Sequence, residues 1–252
     1  MIIIVLLIII IVIIYIVYRN NVLKEYFNDI DVQPGSCLGD LLAGNEIYAK
    51  DPKYIKEREA QLKGQTPCIV VVSCSDSRSS VPIITDQLNL GRIFEIKTAG
   101  NSLAADDIES IKVALEGIQP VPELVLVLGH SNCSAVSTSV KSLYDPSLRE
   151  EYPTIVNDII PSIFRVLEKQ KLFQVTRAVN NGDETNGTNI DSDKFKKEIQ
   201  YIKDNEDYFV QQSIVQNAID KAQRIAYTFD LEYGKMVVPA VYNIDTGLID
   251  LV

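Results

Sequence analysis

The chain has little of several residue types that proteins use for metal binding and for disulfide scaffolds. Its 252 residues include one histidine, four cysteines and no tryptophan, and its formal net charge is −10. Four cysteines without a regular disulfide-type spacing favour a reducing compartment over a disulfide-stapled secreted domain. The acidic balance argues against nucleic acid as a partner. We find no internal repeat, and the single histidine limits any metal site to one imidazole ligand.

The first residues form one long hydrophobic run. Ile2–Tyr18 is apolar throughout and would give about 26 Å of helix, near the lower limit for crossing a bilayer. We therefore expect residues 1–19 to be a single-pass transmembrane anchor. Arg19 and Lys24 follow the run and place the next domain on the cytoplasmic side. A cleavable signal peptide is less favoured because no positive segment precedes the run, and a buried core segment is the other alternative.

The remaining sequence divides into a linker and one large domain. Residues 20–34 are polar and acidic and predict a linker, whereas residues 35–252 predict the domain. Within it, the Asn-, Gly-, Asp- and Thr-rich stretch 180–193 predicts a flexible insertion. Helical periodicity over 152–174 and 194–227 alternates with short apolar strands. This alternation predicts an α/β fold with a central, mostly parallel β-sheet flanked by helices.

Two apolar strands end abruptly in metal-ligand chemistry. Val70–Val72 leads into Cys74, and Leu126–Leu128 leads into His130 and Cys133. Because the carboxyl ends of parallel strands meet at one edge of a sheet, we expect these three side chains to form a Cys2His zinc site. Catalytic zinc sites of this kind leave the fourth tetrahedral position to water or substrate. The alternative, ordinary buried cysteines and a strand-end histidine, fits the whole set less well.

A carboxylate and a guanidinium follow the first of these ligands. Asp76 and Arg78 come just after the strand that ends at Cys74. A neighbouring guanidinium lowers the pKa of a carboxyl group, so Asp76 would stay ionised and accept a hydrogen bond from a water on the metal. The alternative is an exposed ion pair that contributes little.

Together these motifs resemble the signature of the β-class carbonic anhydrases. Cys74–Arg78 followed by Gly129–Cys133 is similar to the pair of motifs that holds zinc in that family. Four shorter segments, from an early helix to the last hairpin, are also similar: Leu42–Asn45, Gly64–Pro67, Ala99–Asn101 and Ala240–Gly247. The resemblance covers roughly residues 35–252.

The resemblance implies the reaction and the partners of this chain. It implies one zinc ion per chain, held by Cys74, His130 and Cys133, and reversible hydration of carbon dioxide to bicarbonate and a proton by attack of zinc-bound hydroxide. It also implies a homodimer or a higher homo-oligomer. Asp76 and Arg78 would be the catalytic pair.

Three further residues acquire roles only through the resemblance. The side-chain amide of Gln65, the ring of Phe94 and the backbone N–H of Ser134 would face carbon dioxide and bicarbonate in the substrate pocket. Each has a plainer alternative, since Gln65 precedes a proline turn and an aromatic residue in a strand is usually part of the core.

The chain also departs from the family pattern near the expected pocket. Lys97 stands where the family commonly has arginine, Val113 where it has a pocket tyrosine, and Ser134 where it has glycine. Val71 replaces the tryptophan of the bicarbonate-inhibited subgroup, which favours the subgroup whose zinc site stays open. Two alternatives remain: a hydrolase of carbon disulfide or carbonyl sulfide on the same fold, and a non-catalytic zinc- or bicarbonate-sensing module.

Overall fold

The computed structural model describes residues 10–15, 17–18, 33–180 and 191–252. The chain forms two compact units, Met1–Glu59 and Ala60–Val252. In the first unit, helix α1 (Cys37–Lys50) begins after Ser36, whose hydroxyl oxygen accepts the N–H of Gly39 at 3.1 Å. Helix α2 (Pro52–Ala60) begins at a proline, which suits a first turn because N–H groups there have no helical partner.

The predicted single-pass membrane localisation is wrong. Across the described residues, no helix is both long and apolar enough to cross a bilayer. Within Ile2–Tyr18 the structure describes residues 10–15 and 17–18 as helical. The rest of the run, residues 2–9 and 16, lies outside the described residues.

Two other predictions fall largely on residues that the structure leaves undescribed. The linker at 20–34 lies outside the described residues except for its last two positions. The insertion at 180–193 has its central residues, 181–190, outside them as well. Both stay predictions.

The second unit is built on a five-stranded sheet in the order β2-β1-β3-β4-β5. Its strands are β1 (Ile69–Cys74), β2 (Ile93–Thr98), β3 (Leu124–His130), β4 (Val237–Tyr242) and β5 (Ile249–Leu251). The pairings among β1, β2, β3 and β4 are all parallel, and β5 pairs with β4 in the antiparallel sense. The prediction of a mostly parallel sheet flanked by helices is confirmed.

Helices connect the strands and cover the sheet. Helix α3 (Val81–Ile84) follows β1, and a short 3-10 turn (Ala99–Asn101) and α4 (Ala105–Gly117) follow β2. Between β3 and β4, the described residues form the helices α5 (Ser134–Lys141), α6 (Ser147–Glu151), α7 (Pro153–Lys169), α8 (Phe173–Asn180), α9 (Ser192–Asp204) and α10 (Glu206–Thr228).

The core places the carboxyl ends of the strands against helices. On one face of the sheet, alternate strand residues such as Val70, Val72 and Val127 are fully buried and pack with α4 and α10. A second apolar cluster, formed by α5, α7, α9 and α10, also includes Cys74 and Cys133. The predicted ligands therefore lie where the sheet edge meets helical packing.

Candidate metal centre

The topology brings the three predicted ligands together at the carboxyl edge of the sheet. Cys74 is the last residue of β1 and His130 the last of β3, and these strands are parallel neighbours. Cys133 follows three residues later, directly before α5. The ligand atoms of the three side chains all lie within 4.8 Å of one another, and all three residues are buried.

The imidazole of His130 presents a free nitrogen to this cluster. Its Nδ1 lies 2.9 Å from the carbonyl oxygen of Ser131, which can only accept, so the hydrogen bond assigns the ring hydrogen to Nδ1. Its Nε2 is buried without a hydrogen-bond partner. Burying a ring nitrogen without a partner costs free energy of folding unless a hydrogen-bond donor or a metal ion binds to it. A metal ion would do so, because metal-bound histidines commonly donate their other ring N–H to a carbonyl.

The sulfur atoms of Cys74 and Cys133 lie close together without a disulfide bond, and Cys74 favours the thiolate form. Their Sγ atoms lie 3.9 Å apart, and the backbone N–H of Gly100 donates to Cys74 Sγ at 3.2 Å. The hydrogen bond from Cys133 and that of Gly100 lower the pKa of Cys74, whereas the same sulfur pair and burial raise the pKa of Cys133. Two sulfurs and a neutral imidazole are the donors that zinc prefers, so the residues present fit a zinc ion.

Asp76 lies beside the cluster and is held by Arg78 through two parallel hydrogen bonds. Arg78 Nε donates to Oδ1 at 2.9 Å and Nη2 donates to Oδ2 at 2.7 Å, while the backbone N–H of Arg78 also reaches Oδ1 at 2.9 Å. These hydrogen bonds hold the pKa of Asp76 well below its usual range. Oδ2 lies 4.0 Å from His130 Nε2, so an ionised carboxylate faces the position that a metal would take.

The guanidinium also joins the two loops that carry the ligands. Arg78 Nη2 lies 3.4 Å from the carbonyl oxygen of Asn132, which sits between His130 and Cys133. Asn132 has a left-handed φ of 56°, a conformation that asparagine tolerates better than most residues. Arg78 therefore contacts both the carboxylate and the loop of the second and third ligands.

The structure does not bring Gln65 and Phe94 to this cluster within one chain. Gln65 is exposed and precedes the amino end of β1, whereas Cys74 is at the carboxyl end. From Cys68 to Cys74 the strand rises about 20 Å. Phe94 pairs with Val70 in the first half of β2 and packs against the apolar core under α4 and α10.

The positions that depart from the family pattern lie at different places. Ser134 is exposed and is the first residue of α5, so its N–H has no acceptor within its own helix. Lys97 Nζ donates to the carbonyl of Ser79 at 3.0 Å, in the loop after Asp76. Val113 is exposed on α4.

Sequence reasoning gave no role to the backbone groups that hold the ligands. The carbonyl of Ser131 and the N–H of Gly100 contact two of the three ligands directly. A backbone group leaves no mark on residue type, although Gly100 has a positive φ of 66° and its glycine is a signal in hindsight.

The sequence of this chain is similar to those of known proteins. The family model described as carbonic anhydrase matches residues 69–249, well over half of the chain. The chain belongs to the carbonic anhydrase family. Among curated relatives, carbonic anhydrase 2 of Mycobacterium tuberculosis is 34% identical over 139 residues, which are 53% of this chain and 66% of the relative. The carbonic anhydrase of Mycolicibacterium smegmatis is 35% identical over 124 residues, 48% of this chain and 57% of the relative. The chain thus spans just under two thirds of the first relative's length.

Solved structures of β-class carbonic anhydrases share the fold of this family member. The β-carbonic anhydrase CcaA superposes with a TM-score of 0.57 at 19% identity, covering 86% of this chain and 99% of that one. The enzyme CafA of Aspergillus fumigatus superposes with a TM-score of 0.54 at 21% identity, covering 85% and 89%. The chain therefore has the β-class carbonic anhydrase fold.

Proposed function

We propose that this chain is a zinc-dependent carbonic anhydrase that interconverts carbon dioxide and bicarbonate. The observation that carries the proposal is the buried set of two sulfurs and a free imidazole nitrogen, with the ionised carboxylate of Asp76 4.0 Å from that nitrogen. Membership of the family supports it. Simple metal retention would need the three ligands but not the carboxylate and its guanidinium.

Cys74, His130 and Cys133 would hold one zinc ion per chain. When bound, zinc acts as a Lewis acid and makes water acidic enough to lose a proton near neutral pH. The carbonyl of Ser131 keeps the hydrogen of His130 on Nδ1, so Nε2 stays available as a ligand. The N–H of Gly100 stabilises the thiolate of Cys74.

Asp76 and Arg78 would be the catalytic pair. With both carboxylate oxygens engaged by the guanidinium, Asp76 keeps one orientation and would accept a hydrogen bond from a water at the metal position. Asp76 would thereby orient that water toward carbon dioxide. Arg78 acts through Asp76, because its own contacts are to the carboxylate and to the Asn132 carbonyl.

The backbone N–H of Ser134 would bind an oxygen of the substrate. It lies at the start of α5, next to Cys133, where an unpaired N–H and the helix dipole favour negative charge. The developing bicarbonate oxygen carries such a charge. The side chain of Ser134 would narrow this part of the pocket relative to glycine.

The active unit would be a homodimer or a higher homo-oligomer, with residues 35–252 as the catalytic domain. If Gln65 and Phe94 contact substrate as the family resemblance implies, they do so in the pocket of a second copy, because each lies toward the amino end of its own strand. This arrangement agrees with the separation between Gln65 and the ligand set in one chain.

The test is stopped-flow hydration of carbon dioxide by the zinc-loaded full chain. We expect rapid hydration, and a fall of roughly 100-fold or more in Asp76→Asn at unchanged zinc content, because the neutral amide is a weaker acceptor and cannot accept both hydrogen bonds from Arg78. Asp250→Asn, an exposed change on β5, is the matched control and keeps the wild-type rate. Stoichiometric zinc without hydration would overturn the proposal and direct the assay to carbon disulfide and carbonyl sulfide.

A further inference from the structure

A hydrogen-bond chain runs from helix α10 to the thiolate of Cys74. Asn217 is completely buried, and its Nδ2 donates to the carbonyl oxygen of Gly100 at 2.9 Å. The N–H of Gly100 in turn donates to Cys74 Sγ at 3.2 Å. Gly100 thus accepts a hydrogen bond from Asn217 through its carbonyl oxygen and donates one to the sulfur through its N–H.

Position 100 requires a glycine. Its φ is 66°, and a Cβ there would lie 2.8 Å from Ile159 Cδ1 and 3.0 Å from Ala135 Cβ. The backbone of the 3-10 turn therefore fits closely against α7 and α5. This packing limits the movement of Gly100, and a hydrogen bond to its carbonyl oxygen also fixes the direction of its N–H.

The side chain of Asn217 donates that hydrogen bond to the Gly100 carbonyl oxygen. Burying an amide without a partner is unfavourable, so the fully buried side chain of Asn217 on α10 needs a hydrogen-bond partner. The Gly100 carbonyl is its close acceptor. Ser162 Oγ lies 3.5 Å from Asn217 Oδ1 but donates its hydrogen to Asp220 Oδ2 at 2.7 Å, so the hydrogen bond to Gly100 is the contact that directs Asn217 toward the turn.

A second contact holds the same segment at a point that does not touch the sulfur. Arg224, two turns further along α10, donates from Nη1 to the carbonyl of Leu103 at 2.8 Å. Leu103 also donates its N–H to Asp158 Oδ2 at 2.9 Å. Arg224 and Asn217 thus come from one helix and anchor one segment, but only Asn217 contacts the residue that donates to Cys74.

We propose that Asn217 is a positioning residue of the metal centre, which fixes the Gly100 N–H against Cys74 and thereby sets the metal affinity and electron donation of this thiolate. The inference rests on the proposed zinc site. Residues that orient metal ligands from outside the coordination shell typically change metal affinity 10- to 100-fold when replaced.

The experiment compares cobalt-substituted full-length proteins. We measure Co2+ affinity by competition with a chelator and the near-ultraviolet thiolate-to-cobalt absorption band. Asn217→Leu keeps a similar size but cannot donate, and we expect Co2+ to bind at least 10-fold more weakly. We also expect the band to move to longer wavelength, because a thiolate without its hydrogen bond gives up electron density more easily. Arg224→Met removes the other anchor and should keep the wild-type band and affinity.

The outcomes separate this inference from the proposed zinc site. A wild-type protein without a thiolate-to-cobalt band would overturn both. A wild-type band that is unchanged in position and affinity in Asn217→Leu would overturn the positioning role alone. Equal shifts in Arg224→Met would also overturn it, since they would reflect general loosening of the turn. If Asn217→Leu does not fold, Asn217→Ala, which lacks the amide and has a smaller side chain, is measured by the same criteria.

Discussion

The two ends of the parallel sheet differ in how their predicted functional residues are held. At the carboxyl end, Cys74, His130 and Cys133 are buried and converge within 4.8 Å, and backbone groups contact Cys74 and His130. Toward the amino end, Gln65 is exposed and Phe94 belongs to the apolar core. One chain therefore brings the three predicted ligands together but does not bring the predicted substrate residues to them.

This difference follows from how parallel strands are connected. Every parallel strand leaves the sheet at the same edge, so the loops after β1 and β3 must meet there, whatever their sequences. Residues before the strands have no such constraint within one chain. Replacing matched residues at the two ends should show which end carries the chemistry.

The largest effect should come from replacing a cysteine at the carboxyl end. Cys74→Ser removes one of three ligands, and we expect the purified protein to lack stoichiometric zinc and to hydrate carbon dioxide at the background rate. Cys68→Ser, just before the same strand, is the matched control and should keep both. Zinc content by atomic absorption and stopped-flow rates check this, and zinc retained in Cys74→Ser would contradict the ligand set.

The next effect should come from the arginine that orients Asp76. Arg78→Met leaves the three ligands intact but frees the carboxylate, so we expect a 10- to 100-fold lower hydration rate with unchanged zinc content. Arg92→Met is the amino-end control, since Arg92 donates to the exposed Gln87 side chain at 2.8 Å. A wild-type rate in Arg78→Met would show that the two hydrogen bonds do not matter for catalysis.

A smaller effect should come from the amino end. Gln65→Ala should lower kcat/KM roughly fivefold, the equivalent of about 1 kcal/mol for one hydrogen bond to substrate. Lys63→Ala, an exposed neighbour, should leave kcat/KM unchanged. Identical constants in Gln65→Ala would mean that the amino end contributes nothing to the pocket, even in an oligomer.

The smallest effect should be on the free energy of unfolding at alkaline pH, and it should come from Tyr144. Burial, together with the hydrogen bond to Glu206, raises the pKa of Tyr144. The unfolded chain loses this proton near pH 10, so the stabilisation is complete below that pH and is lost as the pH rises above it. Wild type should therefore lose stability more steeply than Tyr144→Phe between about pH 9 and pH 11.

Urea denaturation at several pH values would measure this difference. Tyr227→Phe, which changes an exposed tyrosine, is the control. A stability difference between wild type and Tyr144→Phe that does not change with pH would show that the Tyr144 hydroxyl has the same pKa in both states.

The convergence of Cys74, His130 and Cys133 was predictable because they lie at or just after the ends of apolar strands. Cys74 and His130 end runs of valine and leucine, and strand ends of that kind converge in any parallel sheet. The groups that orient the ligands were not predictable, because Ser131 and Gly100 act through the backbone and Asn217 is 117 residues from its partner. Side-chain identity carries no record of such contacts.

Helix boundaries and the N-terminal run show the limits of periodicity. Helical periodicity was predicted over 194–227, and the structure has two helices there, since α9 ends at Asp204 and α10 begins at Glu206. The periodicity does not reveal this break because both helices bury apolar residues at helical spacing. Ile2–Tyr18 was predicted to be a membrane span from hydropathy alone, and among the described residues no helix is long and apolar enough to be one.

The long loops closed by the metal centre have a consequence for folding. Cys74 and Cys133 are 59 residues apart, and the contact between Gly100 and Asn217 closes 117 residues. Contacts between distant parts of a chain form slowly and late, because loop closure costs entropy before it is repaid. The ligand set can then assemble only after β1, β3 and α10 have come together. Zinc would accordingly bind the folded chain in preference to the unfolded one and stabilise it by mass action, so its availability would affect how much of the protein survives as well as how fast it works.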